Sequence, residues 1–304
     1  MGTVIDDQTL YQRARRLAAC IEPFVGQVYF APECHTAYEA LGFGPSPATL
    51  GSGVQVPDGP AYFCSRGSAL GQVPGELIAA AFAVFNPAVV VPAVTAGWAL
   101  TDAATIAEAR TDGAVAQLAR ILGEEPAGVD RVVDLLTRAT EPLRPEGRPL
   151  YAGLLSMGLP GSPLADAWRL GDLLREYRGD AHTASWTAAG FDATEIGLLT
   201  ELFWGLPMRT YVRSRAWSTD DLDAAEARLR DRGLLDGDAA STEGHDVREA
   251  IERATDLQCR PAIEALGDDL DEVEAIVGPW DVAIRAAGGY LPSGPHELAG
   301  LAAR

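Results

Sequence analysis

Residues 217–244 read WSTDDLDAAEARLRDRGLLDGDAASTEG. Ser218 suits an N-cap, and the run Asp220–Arg232 that follows it is expected to be helical. Gly233-Leu234-Leu235 leaves that helix, Asp236-Gly237-Asp238 makes a turn, and Ser241-Thr242-Glu243-Gly244 opens another helix. Upstream, a helix over Thr194–Trp204 meets a turn at Gly205-Leu206-Pro207 and then a short helix. Helix, turn, helix, short strand pair and helix is the order of a winged helix.

Outward from this stretch the chain reads as if written twice. His35-Thr36-Ala37 and Gly42-Phe43 in the first half answer His182-Thr183-Ala184 and Gly190-Phe191 in the second. Glu76 precedes Trp98 as Glu195 precedes Trp217, by 22 residues in each case. Glu108-Ala109-Arg110 answers Glu226-Ala227-Arg228, and Arg138-Ala139-Thr140-Glu141 answers Arg253-Ala254-Thr255-Asp256. Anchors kept in one order point to an internal repeat, which sets the fold before any local reading. The expected architecture is mainly α: tandem pseudo-symmetric winged-helix-like units with helical arms and small β-wings. The units are expected at residues 1–150 and 151–304, with an inserted loop at 44–72 and a Pro- and Gly-rich seam over 142–163.

Other helices are expected over Gln8–Ile21, capped by Asp7 and ended by Pro23, and over Glu33–Leu41, Glu76–Phe85, Thr101–Leu122 and Val129–Thr140. Leu164 to about Ala188, Val247–Leu266 and Asp271–Ala287 complete the set. Leu77 to Ala96 is long and apolar enough to suggest a membrane span. Asn86, Pro87 and Pro92 interrupt it, so buried core helices are expected and no membrane partner.

The 304 residues carry 24 basic and 43 acidic side chains, a net charge of −19. That field repels phosphates and anionic lipid. Met1 to Arg16 lacks the apolar segment of a signal peptide, and no Cys-x-x-Cys pair is present, so reduced thiols and a cytoplasmic location are expected.

Four motifs carry a family resemblance: Val28-Tyr29-Phe30-Ala31-Pro32-Glu33-Cys34-His35, Tyr62-Phe63-Cys64-Ser65-Arg66-Gly67, Arg175-Glu176-Tyr177-Arg178-Gly179-Asp180-Ala181-His182 and Trp204-Gly205-Leu206-Pro207. With them the chain resembles an actinobacterial helix-turn-helix family over nearly its full length, and its Arg-x-Arg-Gly-Leu-Leu exit is similar to that of MarR-type winged-helix regulators. The resemblance implies a fold. It names no ligand and no reaction, because function resides in the site.

Three site readings follow. His35 and His182 hold matching positions, each two residues after an acid, Glu33 or Asp180. Residues two apart on a helix point about 200° from one another, so a shared site takes the two imidazoles rather than each acid with its own histidine. With Tyr38, Arg178 and the aromatic insertion at Tyr62 and Arg66, they suit a small-molecule cleft between the copies. Two imidazoles and a carboxylate also suit a divalent metal, and two imidazoles near an arginine suit acid–base chemistry. Each histidine alone also suits a bond to buried backbone. No cofactor motif is present. Cys34 and Cys64 enter as weaker nucleophile candidates.

The second reading is a DNA-binding regulator acting through Arg209, Arg213 and Arg215. Against it, the helix in the recognition position starts Asp220-Asp221-Leu222-Asp223, so a nucleic-acid partner is not favoured. The same arginines suit a small anion or internal ion pairs. The third reading is a metal-dependent or acid–base enzyme. A homodimer is compatible with all three.

Overall fold

The computed structural model describes residues 5–292; His296, expected idle, lies outside them. Asp6, not Asp7, caps the first helix: its carboxylate accepts the Thr9 backbone N–H at 3.0 Å. That helix, α1, runs Asp7–Gly26 and buries Leu10, Ala14, Leu17 and Ile21, spaced by three or four. Pro23 does not end it. The ring removes one helical hydrogen bond, but Phe24 and Val25 are fully buried beyond it and carry the helix on.

The chain continues with α2 (Pro32–Ala40), α3 (Gly59–Gly67), α4 (Gly75–Phe82), α5 (Pro87–Trp98), α6 (Ala103–Leu122), α7 (Val129–Thr140) and α8 (Pro149–Met157). Then come α9 (Pro163–Ala188), α10 (Ala193–Phe203), α11 (Thr219–Asp231), β1 (Leu235–Asp236), β2 (Ala239–Ala240), α12 (Thr242–Gln258), α13 (Arg260–Leu266) and α14 (Leu270–Ala286). The expected loop at 44–72 is thus part helix. Asp58 caps α3 through the Ala61 N–H, and only a bridge between Thr49 and Gln55 remains of a hairpin. The expected single helix Val247–Leu266 is two, broken at Cys259 before Pro261. The apolar stretch Leu77–Ala96 is likewise broken between α4 and α5, and no single helix among the described residues is long and apolar enough to cross a membrane.

At the centre lies α9. Its 26 residues extend about 39 Å, and it packs against α1, α6, α7, α8 and α12. Being surrounded, it is buried nearly all round, with Trp168 wholly enclosed. One stripe of it is nevertheless polar: Arg169, Asp172, Glu176 and Asp180, all buried and spaced by three or four. Each member has a partner. Arg169 donates to Thr111 Oγ1 at 3.0 Å, Asp172 accepts from Arg110 at 2.9 Å, Glu176 accepts from Arg66 at 2.7 Å, and Asp180 accepts the Tyr151 N–H at 3.0 Å. Buried polar groups persist when bonded in this way.

Two apolar cores divide the molecule. One joins residues of α1 to α9 with Ile263, Leu270, Val277 and Ile284 of α13 and α14. The other is confined to Trp186–Ile251 and contains Ile196, Leu199, Val212, Leu222, Leu229 and Leu235. The boundary between cores therefore does not fall at 150/151. The second core is that of the winged helix, whose elements are α10, a 3-10 turn at Val212–Arg215, α11, the β1–β2 hairpin and α12. Ser218 and Asp221 form a capping box on α11. In the hairpin Leu235 pairs with Ala240 and Asp236 with Ala239, with Gly237 at φ +59° in the turn. This is the only sheet among the described residues, so the small wing appears in the second half alone.

Candidate functional site

Three neighbouring cavities have volumes of about 250, 520 and 660 Å³; the first lies within the helical body, lined by α1, α9, α13 and Arg66, and the other two lie between that body and the winged helix. The first two share Glu22, Arg178 and His182; the last two share Glu22, Trp204, Tyr211 and Arg215. Together they form a cleft with α1 and α9 on one side and α10, the Val212–Arg215 turn and α12 on the other.

Of the expected ligand contacts, Arg66, Arg178 and His182 line the first cavity. Arg66 grips Glu176 with two bonds, 2.7 and 2.8 Å, and its guanidinium lies 4.5 Å over the Phe82 ring. Arg178 bonds Glu252 and, at 2.9 Å, the fully buried Asp256. Arg15 holds the other oxygen of Asp256 at 2.7 Å. Burial pushes the Glu252 carboxyl up, but Arg178 and Arg248 outweigh it and take it down to about 2. Burial, aided by Arg248 and Arg178, pushes His182 down to about 4, so its ring is neutral at neutral pH. The ring nitrogen Nδ1 meets the Thr255 hydroxyl at 3.1 Å. Tyr62 lines the third cavity and sits edge-on to Tyr29 and Phe63.

His35 and Tyr38 belong elsewhere. The His35 ring bonds the Tyr29 carbonyl at 3.1 Å and Gln55 at 3.4 Å. Tyr38 is buried against Phe43. Neither lines the three cavities, and the cavities that His182 lines do not include His35. The matched histidines are therefore not brought together: α2 packs on α6, whereas His182 faces α12. Among the described residues no group of three or more His, Cys, Asp or Glu side chains suits a metal. Burial pushes the Cys34 and Cys64 thiols up to about 12, which disarms both as nucleophiles.

The three arginines after Pro207 separate. Arg209 pairs with Asp223 at 2.6 Å and with Glu226. Arg213 and Arg215 line the 660 Å³ cavity. Glu195 is buried and pairs with Arg228 at 3.0 Å, and its carboxylate closes a capping box at the start of α10.

Sequence reasoning missed Glu22, Arg175, Glu201 and Tyr211. Arg175 bonds Glu22 at 2.9 Å and the Tyr29 hydroxyl at 3.2 Å. Glu201, fully buried, accepts the backbone N–H groups of Arg209 and, at 2.9 Å, of Val212. Burial pushes its carboxyl up to about 7 against those bonds. One signal was present: an acid in the otherwise apolar helix Ile196–Phe203.

A family model described as a helix-turn-helix family matches residues 14–292. No curated protein and no solved structure gave a significant match.

Proposed function

We propose that this chain, which belongs to the helix-turn-helix family, is a cytoplasmic small-molecule-binding protein whose winged helix forms one wall of the ligand cleft. The observation that carries this reading is the placement of two adjoining cavities, of about 520 and 660 Å³, along the seam between the two cores, with a third beside them within the first core. Sites of several hundred Å³ with few polar groups converging on them are the usual setting for small ligands. Arg66, Arg178, His182 and Tyr62 supply polar contacts, and His35 and Tyr38 support the wall behind Tyr29 and Gln55. A ligand there presses on residues 205–218, which lead directly into α11. The finer kinship we infer is with actinobacterial MarR-like proteins, the single chain imitating a dimer through two related halves. In support, the matched Trp98 and Trp217 each donate to a backbone carbonyl, of Val73 and Val84, at 2.9 Å. The test is a thermal-shift screen against anionic, neutral and cationic small molecules. Binding raises the melting temperature with ligand concentration, and the rise should be lost on Tyr211→Ala. No stabilisation by any class overturns the reading.

The second reading, a DNA-binding regulator, draws support from the family and from the helix–turn–helix–wing order. Its electrostatics oppose it. Asp220, Asp221 and Asp223 are exposed at the start of α11, and Asp236 and Asp238 on the hairpin. Arg228 and Arg230 bind carboxylates within 3.0 Å. Duplex affinity that falls steeply with salt and is lost on replacing Arg213 and Arg215 by Ala would establish it. Absence of binding at low salt removes it.

A further inference from the structure

The 24 basic residues of this chain are all arginine. Most are neutralised: among the described residues only Arg144, Arg148, Arg169, Arg213 and Arg215 have no carboxylate within 4.0 Å. In a chain of net charge −19 an unpaired cation is unusual. Two of the five stand on one short turn, Val212–Arg215, and line one cavity. Three of the five have other partners: Arg148 bonds Gln258 at 3.0 Å, Arg169 bonds Thr111 at 3.0 Å, and Arg215 donates to the Tyr211 hydroxyl. Arg144 is exposed at the molecule's edge.

The cavity is also the most aromatic place in the molecule. Tyr62, Phe85, Trp204 and Tyr211 lie on its wall with Tyr29 and Tyr290. The central carbon of the Arg215 guanidinium lies over two of these rings, 4.6 Å from the Phe85 centroid and 4.5 Å from that of Tyr211. Trp204, with ring centroid 5.4 Å from Tyr211, is 42% exposed although it is among the largest apolar side chains. The one acid on the wall, Glu22, is occupied by Arg175 at 2.9 Å and by the Tyr290 hydroxyl at 2.9 Å. It offers nothing to a cation.

We propose that the 660 Å³ cavity takes a planar aromatic anion, its ring system against Trp204, Tyr62 and Phe85 and its carboxylate on Arg213 and Arg215. This deepens the ligand-cleft reading and rests on it. Arginine suits both halves of such a ligand, because its planar fork binds carboxylate with two bonds and stacks on rings at the same time. The concave, aromatic wall excludes the stiff phosphate backbone of a duplex as the occupant.

The probes are 2-naphthoate, the neutral 2-naphthamide and the cationic 2-naphthylmethylammonium, titrated calorimetrically at low ionic strength into the full-length protein. The naphthoate should bind about tenfold tighter than the amide, the worth of one charge-assisted bond, and the ammonium weakest. Arg213→Gln and Arg215→Gln should each remove that preference while leaving the amide affinity unchanged. Arg144→Gln should change nothing. Arg213 is exposed, so its variant folds and decides the matter if Arg215→Gln does not. An amide that binds as well as the naphthoate, or naphthoate affinity untouched by Arg213→Gln, overturns the proposal. So does binding of none of the three. In that last case stabilisation by other compounds in the thermal screen leaves the ligand cleft standing, and stabilisation by none removes both.

Discussion

Trp217 donates its indole N–H to the backbone carbonyl of Val84 at 2.9 Å, and so fastens the winged helix to the break between α4 and α5. Asn86 adds two bonds across the same joint, its N–H to the Arg215 carbonyl at 3.0 Å and its side-chain amide to the Ala216 carbonyl at 3.0 Å. The turn that carries Arg213 and Arg215 is thereby held at both edges, by Glu201 within its own core and by this clamp outside it. Trp217→Phe keeps most of the ring and removes one bond. It should cost about 1 kcal/mol and speed amide hydrogen exchange at residues 211–216 selectively. Uniform acceleration over the whole chain would show that the clamp is not local.

The clamp has a strained partner. Among the described residues the non-glycine residues with positive φ are Ala83, Arg209 and Ala216, and Ala83 and Ala216 lie at this joint. Ala83, at φ 53° and ψ −52°, turns the chain so tightly that the Val84 N–H bonds the Phe82 carbonyl at 2.6 Å. Such a turn costs an L-residue on the order of 1–3 kcal/mol. Ala83→Gly should therefore raise the urea midpoint, whereas alanine-to-glycine within a helix lowers it. A lowered midpoint would contradict the strain.

Arg110 and Asp172 form a pair almost without solvent, their bond 2.9 Å and the arginine 5.0 Å over Trp168. Removing one partner leaves the other buried and unpaired. Asp172→Asn should cost about 3–5 kcal/mol, while replacing both by Met and Leu should recover much of it. Chemical denaturation of the single and double variants checks the contrast.

Two buried groups make stability depend on pH with opposite signs. His182 is pushed down to about 4 from 6.5, so the unfolded chain takes up its proton first as acid is added. Its contribution is present above pH 6.5 and is lost as pH falls toward 4, on the order of 3 kcal/mol in all. Glu201 is pushed up to about 7 from 4.5, so its contribution is present below pH 4.5 and is lost as pH rises through 7. Urea midpoints from pH 4 to pH 8 should rise less steeply in His182→Gln and fall less steeply in Glu201→Gln. Parallel profiles for the two variants would refute the assignment.

The winged helix was legible because its signals are local. Ser218, the 3–4 spacing of Leu222, Ala225 and Leu229, and the Asp-Gly-Asp turn act within a few residues of each other. The helix Val129–Thr140 has the expected bounds for the same reason. The break at Cys259 and the passage through Pro23 were not legible, since tertiary burial decides them. Among the cavity-lining residues, Arg66, Arg178, His182 and Tyr62 stand in motifs legible in the sequence. His35 and Tyr38 were drawn in by the repeat, but matching positions in two halves do not ensure matching surroundings. The stripe Arg169, Asp172, Glu176 and Asp180 was readable as a 3–4 spacing of charge, though only the packing of five helices around α9 shows that it is buried.

The return of α13 and α14 to the first core has a consequence for how the chain matures. The packing of α14 on α1 joins residues such as Phe24 and Trp280, 5.4 Å apart ring to ring and separated by nearly the whole sequence. During synthesis the body must wait, its first helix without a final partner, until the last helices emerge. The buried core of the winged helix comes from residues 186–251, with Ala83 and Val84 packed against it, so its parts are all present earlier in synthesis. A released chain truncated after Gln258 would carry a finished wing on an unfinished body, and so expose the face of α1 on which α14 settles.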